Sequence, residues 1–404
     1  MSRYSRVRAL WPALAAGAAA EAARRVLAPR SAALDPVRVD VDTYFSREEI
    51  ERGRRYARPQ LALLLTRSLI DAAALSTLVR RPPRALRRAW SSPAAGGAAT
   101  AAGLSLALSL PTLPLRAVSR RRAMAVGLDT QSWGAWAGDM AKAAAIQTVF
   151  LAGGGAAVIA VTRRFPRAWW APLGVGSVVL GTGLAALAPV VLDPIFNHFE
   201  PLPEGQTRSD VLELARDAGV SVGQVYSVDA SRRTTAANAY VTGLGPTKRV
   251  VLFDTLLDRY NRDEIRLVVA HELAHVRHRD VQRGVVYAAI VAPATALAVQ
   301  RLSWALSPER GTPAALPAVA LASMLVAAPV GLIGNRLSRA LERRADHFAL
   351  ELAGAPEAFV SFERTIALQN VADVDPPRWV SRILATHPPT AERIGAAVAF
   401  SQAE

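Results

Sequence analysis

Six stretches of this chain, at 59–79, 94–115, 143–162, 169–192, 284–304 and 313–334, run for about 20 residues with at most two charges each. Runs of that length cross a bilayer as helices, because a helix satisfies its own backbone polar groups where no water can. A seventh run, Trp11 to Ala28, follows a basic start. Glu21, Arg24 and Arg25 interrupt it and no small-residue cleavage site follows, so it reads as a first span and not as a signal peptide. Overall 51% of the residues are hydrophobic although 20% are charged, which fits apolar spans alternating with charged loops. The pattern predicts an all-α polytopic membrane protein of about seven helices.

The formal charge of +15 is carried by arginines that flank the apolar runs: Arg80, Arg81, Arg84, Arg87 and Arg88, then Arg120 to Arg122, then Arg163, Arg164 and Arg167. A nucleic-acid binder gathers such charge on one folded face, so these are read as juxtamembrane charge and no nucleic-acid partner is expected. Seven spans place the region after the fifth and the tail after the seventh on one side. That side is assigned to the cytoplasm because it holds most of the Arg and Lys, although the basic loops at 80–92 and 163–168 then face outward. Inside the second span Arg67 and Asp71, four apart, share a helix face and are expected to pair toward a protein interior. There is no cysteine, so any metal must be held by His, Asp or Glu.

Two stretches are expected in water, 29–58 and 195–283. Within the second, Arg208 to Ala218 reads as a helix, and Gln224 to Val228, Asn238 to Leu244 and Arg249 to Phe253 as strands, with a turn at Gly245-Pro246. Asp263 to Asp280 is strongly helix-forming and contains the run HELAH at 271–275. His271 and His275, four apart, project from one helix face and can grip one zinc ion, with Glu272 beside the bound water as general base. Val268, Val269, Leu273 and Val276 give this helix a buried side.

Zinc needs a third protein ligand and one open position. The sixth span begins near Gly284, nine residues after His275, and the seventh ends near Gly334, eight residues before Glu342. If the two spans form an antiparallel hairpin and the helices continue straight, both points lie about 12–13 Å beyond the membrane. Glu342 then arrives level with His275 and is favoured over His278, His347 and Asp346. Asp346, one turn further, could orient a zinc-bound histidine or donate a proton.

HELAH together with SRALERRAD (338–346) resembles the M48 peptidases, and specifically their Ste24-type, CAAX prenyl protease 1 branch. YFSREEIERGR (44–54), GLDTQSWGAWAGD (127–139), PIFNHFEPLPEG (194–205), NAYVTGL (238–244), VVLFDTLL (250–257) and THPPTAER (386–393) extend the resemblance over most of the chain. It implies that His271, His275 and Glu342 bind zinc, with Glu272 as catalytic base and Asp346 supporting the site or donating a proton. It also implies seven helices around a water-filled chamber, with the metal near its cytoplasmic end. Asn238, Ala239, Tyr240 and Val241 fall in what resembles the strand along which substrate backbone is laid. His387 and Arg393 fall in the tail motif, where they would bind the oxyanion or a substrate carboxylate. His198 reads as structural.

The expected organisation is a membrane region at 1–194, a small α+β peptidase region at 195–283, two spans at 284–334 and a helical tail at 335–404. The expected function is zinc-dependent hydrolysis of membrane-associated polypeptides, of which prenylated CAAX tails are one class, in a prokaryotic plasma membrane. The competing reading is a membrane scaffold or translocon-clearing partner with a vestigial metal site. An intact Glu272 speaks against it.

Overall fold

The structure, a computed structural model, describes residues 3–30, 34–88, 90–243 and 248–403 of the 404. Leu244 and the turn at Gly245-Pro246 lie outside the described residues. The membrane part begins with α1 (Arg3–Leu27), the short α2 (Val41–Tyr44), α3 (Arg47–Arg80), α4 (Pro93–Ala125), α5 (Trp133–Arg164), α6 (Trp170–Val191) and the short α7 (Asp193–Phe196). It is completed by α11 (Asp280–Leu306) and α12 (Leu316–Ala353). Among the described residues six of these helices are long and apolar enough to span a bilayer, and they coincide with the six runs of the sequence. The protein is a multi-pass membrane protein. α6 shows why the solvent must be lipid, since Val175, Val179, Leu180 and Leu187 stand exposed along it.

The seventh run is also a helix of the bundle. α1 packs along α11 and α12 through its small residues, Ala16, Ala20 and Ala23, all buried. Its one acid, Glu21, is held by Arg24 at 2.7 Å and by Arg336 of α12 at 3.1 Å. The Ala/Gly bias at the start of α4 has a packing reason. A Cβ on Gly97 would sit 2.6 Å from the carbonyl oxygen of Gly155, and one on Gly155 2.5 Å from that of Gly97, so α4 and α5 touch backbone to backbone. Arg67 and Asp71 do share a face of α3, but Arg67 Nε and Asp71 Oδ1 are both buried without a hydrogen-bond partner. Asp71 and Arg116 of α4 line a cavity of about 440 Å³ between α3, α4, α5 and α12.

The water-exposed part is built on a four-stranded sheet of order β1-β2-β4-β3. β2 (Gln224–Val228) and β4 (Arg249–Phe253) pair in parallel at its centre, with the bounds expected from the sequence. β1 (Phe199–Pro201) is antiparallel to β2, and β3 (Ala239–Thr242) is antiparallel to β4, so β3 forms an edge. The three-residue β1 is too short for its alternation to show. Against the sheet lie α8 (Gln206–Asp217) and α10 (Arg262–Arg277), with the short α9 (Asp254–Leu257) after β4. Their core joins Leu214 of α8, Val225, Val250 and Leu252 of the sheet, and Val269 and Leu273 of α10. α10 starts at a capping box, Asn261 accepting from Glu264 N–H while Glu264 accepts from Asn261 N–H, which fixes where HELAH falls on the helix.

α13 (Pro356–Gln369) and α14 (Thr390–Ala403) close the chain. They meet the water-side end of α3 in a second core of Phe45, Ile50, Ala367, Val374 and Ile394. The stretch 29–58 is therefore partly a wall of the C-terminal region.

Candidate metal centre

α10 and α12 lie side by side and bring HELAH opposite ERRAD. His271 Nε2 is 3.2 Å from His275 Nε2, Glu342 Oε2 is 3.3 Å from His271 Nε2, and Glu342 Oε1 is 3.6 Å from His275 Nε2. The three side chains form the one group among the described residues with metal-ligand spacing. Glu342 thus arrives level with His275, as the hairpin argument expects.

The path is not the straight one assumed. α10 stops at Arg277, Arg279 adopts a left-handed conformation with φ of 58°, and α11 starts afresh at Asp280. That break turns Asp280 back toward α10, where its carboxylate lies 3.0 Å from His275 Nδ1 and pairs with buried Arg344 of α12. On the other side, Asp346 Oδ1 lies 2.9 Å from His271 Nδ1.

Each imidazole therefore turns Nδ1 toward a carboxylate, His275 in a hydrogen bond with Asp280 and His271 in close contact with Asp346, and the two Nε2 atoms face each other. At 3.2 Å two Nε2 lone pairs repel unless a proton or a metal ion stands between them. Glu342 Oε2 is buried without a hydrogen bond, which suits a ligand and wastes an acceptor otherwise. Four ligands around zinc at about 2.0–2.2 Å would be separated by about 3.3–3.6 Å, close to the observed triangle. Burial disfavours charge on His271, yet Asp346 and Glu342 outweigh it and push its pKa up to about 10. The field at this point strongly favours a cation.

Glu272 lines a cavity of about 440 Å³ that also meets His271, Asn238, Ala239 at the start of the edge strand, His387 and Arg393. Burial pushes the Glu272 carboxyl above its ordinary range, with His271 and His275 pulling the other way. Tyr240 and Val241 continue the edge strand away from the cavity. His387 Nε2 is 3.4 Å from Glu342 Oε2 with its ring largely exposed, and burial of its inner edge lowers its pKa. The guanidinium of Arg393 is already engaged, by Asp346 at 2.6 and 2.9 Å and by Glu363 at 2.6 Å.

The two other histidines near the motif are occupied elsewhere. His278 hydrogen-bonds to the Ala274 carbonyl and packs edge-on against Phe348, and His347 pairs with Glu351 at 3.3 Å. His198 is exposed and lies 3.5 Å from Glu200. Sequence reasoning missed Asp280 and Glu363. An acid five residues after the second histidine was the only signal for Asp280. Glu363, on α13 and almost fully buried, left no signal.

Six helices long and apolar enough to span a bilayer, joined to a small α+β unit whose two motif histidines meet Glu342 of α12, make a membrane-embedded chain with a His-His-Glu cluster of metal-ligand spacing. Comparison with known proteins makes the class specific. Residues 201–400 match the peptidase family M48, and residues 35–198 match the CAAX prenyl protease N-terminal domain with its five membrane helices. The chain is 31% identical over 300 residues to a protein of Bacillus subtilis described as an uncharacterized metalloprotease, YhfN, covering 72% of this chain and 70% of that one. It is 30% identical over 221 residues to a CAAX prenyl protease 1 homolog of Oryza sativa, about half of each chain, and 32% identical over 218 residues to protease HtpX of Legionella pneumophila, 48% of this chain and 76% of that one. The crystal structure of S. mikatae Ste24p superposes with a TM-score of 0.77 at 19% identity, covering 98% of this chain and 99% of that one. The chain belongs to peptidase family M48 and has the Ste24 fold.

Proposed function

We propose that the chain is a zinc-dependent endopeptidase that hydrolyses membrane-associated polypeptides, prenylated CAAX-type tails among them. The observation that carries this is the triangle of His271, His275 and Glu342 beside Glu272, with His271 and Glu272 lining a cavity that reaches Ala239 at the start of the edge strand β3. The peptidase region is assigned to 195–283 together with 335–404. We place the metal end in the cytoplasm of a prokaryotic plasma membrane, in keeping with the bacterial relatives and the Ala- and Arg-rich composition.

His271, His275 and Glu342 hold the metal. Zinc, when bound, supplies a Lewis acid that acidifies water and polarises a carbonyl. Glu272 takes the proton of the attacking water and passes it to the leaving amine, a task suited to a carboxyl whose proton affinity burial has raised. Asp346 and Asp280 fix the two imidazoles. Asn238 to Val241 align the substrate backbone by strand addition, which gives affinity with little sequence choice. His387, exposed at the cavity mouth, faces the developing oxyanion. The part we give Arg393 is to hold Asp346, because its guanidinium is already committed.

The test is Glu272→Gln in the full-length protein, followed with a quenched fluorescent peptide and a metal assay. Metal stays bound, while cleavage falls by about 10²–10⁴, the usual worth of a general base. Cleavage retained by this variant would refute the mechanism. A wild-type protein that binds metal but cleaves no peptide would favour the scaffold reading.

A further inference from the structure

The end of the bundle away from the metal carries a charge that catalysis does not use. α11 starts beside His275 and runs 27 residues, so its far end lies about 40 Å from the site. Three loops meet there. These loops and the end of α11 carry five arginines at 80–88, three at 163–167, Arg301 and Arg310, against one acid in the loop sequences, Glu309. Glu309, 3.8 Å from Arg87, offsets one of these ten charges and leaves nine.

Between the loops lies a cavity of about 430 Å³, lined by Arg163, Trp169, Ser303, Trp304, Arg310 and the carboxylate-bearing Glu309. Its walls are held in place. Buried Gln300 donates to the Arg167 carbonyl, Arg310 donates to the Trp304 carbonyl at 2.9 Å, and Arg310 and Arg301 both stack on the Trp304 ring. Gly311, with φ of 60°, lets the α11–α12 loop pass close under the Arg163 side chain, where a Cβ would come within 3.3 Å of Arg163 Cγ. Arg163, Arg164 and Arg167 are exposed, and among the described residues Arg163 meets no carboxylate.

We propose that this cavity and its arginine rim bind the headgroup of an anionic phospholipid from the leaflet facing away from the metal. Guanidinium groups match phosphate oxygens in charge and in paired hydrogen bonds. Tryptophans at the same level mark the depth of the headgroups. A zwitterionic headgroup would bring its own ammonium against nine net positive charges. The arginines stand within a few residues of the span ends, which puts phosphate of the bilayer, and not a soluble polyanion, in contact with them. Below Trp169 the exposed Val175 and Val179 of α6 give the acyl chains an apolar track. The assignment holds whichever way the protein is inserted.

The experiment uses full-length protein in detergent, incubated with equal amounts of phosphatidylglycerol and phosphatidylcholine, with retained lipid read by native mass spectrometry. Wild type retains phosphatidylglycerol in preference. Arg163→Gln lowers that preference about fivefold, the worth of one arginine at an anionic surface. Arg121→Gln, an exposed arginine at the metal end, leaves it unchanged, and excess inorganic phosphate fails to displace the lipid. If the arginines serve only to orient insertion, wild type shows no preference or both variants behave alike, and the proposal falls. Displacement by inorganic phosphate would equally overturn it, in favour of a free-phosphate site.

Discussion

Asp280 offers the sharpest test of how the metal centre is held. It lies 3.0 Å from His275 Nδ1 and pairs with Arg344, which is only 6% exposed. Asp280→Asn keeps the shape and removes the charge. A carboxylate on the far nitrogen of a metal-bound histidine fixes its tautomer and raises its basicity, and losing one lowers metal affinity about 10–100-fold, or about 1.4–2.7 kcal/mol. The same change strands the buried Arg344 guanidinium, and breaking a buried pair destabilises by about 3–5 kcal/mol. The two effects separate by assay. Zinc affinity is measured by competition with a chromophoric chelator, and the thermal midpoint is measured after removal of metal with EDTA. Arg344→Gln is the control, since it breaks the buried pair yet leaves Asp280 beside His275. Both variants lower the metal-free midpoint, and only Asp280→Asn weakens zinc by a further order of magnitude. If Asp280→Asn loses midpoint but binds zinc like wild type, Asp280 supports the fold alone and the account of His275 is wrong.

Two further outcomes follow from the geometry. Burial raises the Glu363 pKa from 4.5 to about 7 against the pull of Arg393. A raised carboxyl stabilises the fold below its unfolded pKa, and that contribution, at most about 3 kcal/mol, is lost as pH climbs through 7. Glu363→Gln removes this dependence, so the variant gains in thermal midpoint relative to wild type between pH 5 and pH 8; a constant gap would show that Glu363 does not titrate in this range. Strand addition to β3 makes its own demand on the substrate. N-methylating successive amides of a cleaved peptide should weaken binding at every second position, because only alternate N–H groups of a strand face one neighbour, and an even loss along the peptide would count against pairing with the edge.

The spans were legible because a bilayer imposes one length and one composition on any helix that crosses it. β2 and β4 were legible to the residue because both lie in the sheet centre and carry apolar runs between turn signals. The His-His-Glu triangle could be placed from the spacing of HELAH and Glu342 relative to two spans. The break at Arg279 was hidden, since an arginine with positive φ has no local signature and the preceding residues are strong helix formers. With the break went Asp280, whose role depends on a reversal of direction and not on helical spacing. Glu363 was hidden for another reason: it joins the site through Arg393 and Asp346, residues far away in the chain, and nothing short of the fold brings them together.

The distribution of ligands over the fold carries a further consequence. His271 and His275 sit on α10, whose other face is the core of the sheet, so they belong to a unit that packs in water. Glu342, Arg344 and Asp346 sit on α12, and Asp280 opens α11, so the carboxylates that complete and align the site are extensions of two membrane spans. Neither half holds a metal centre by itself. The break at Arg279 reconciles them, since it lets α10 keep the direction its core requires while α11 takes the one the bilayer requires. Glu342 lies two helical turns past the apolar part of α12, which fixes the centre about 12 Å from the hydrocarbon edge. At that height a polypeptide still tethered to the membrane reaches the edge of β3 with only a few extended residues, at about 3.3 Å each. On the proposed function, a site assembled this way would select its substrates by where they are anchored, and the shallow sequence preference of strand addition would then be sufficient.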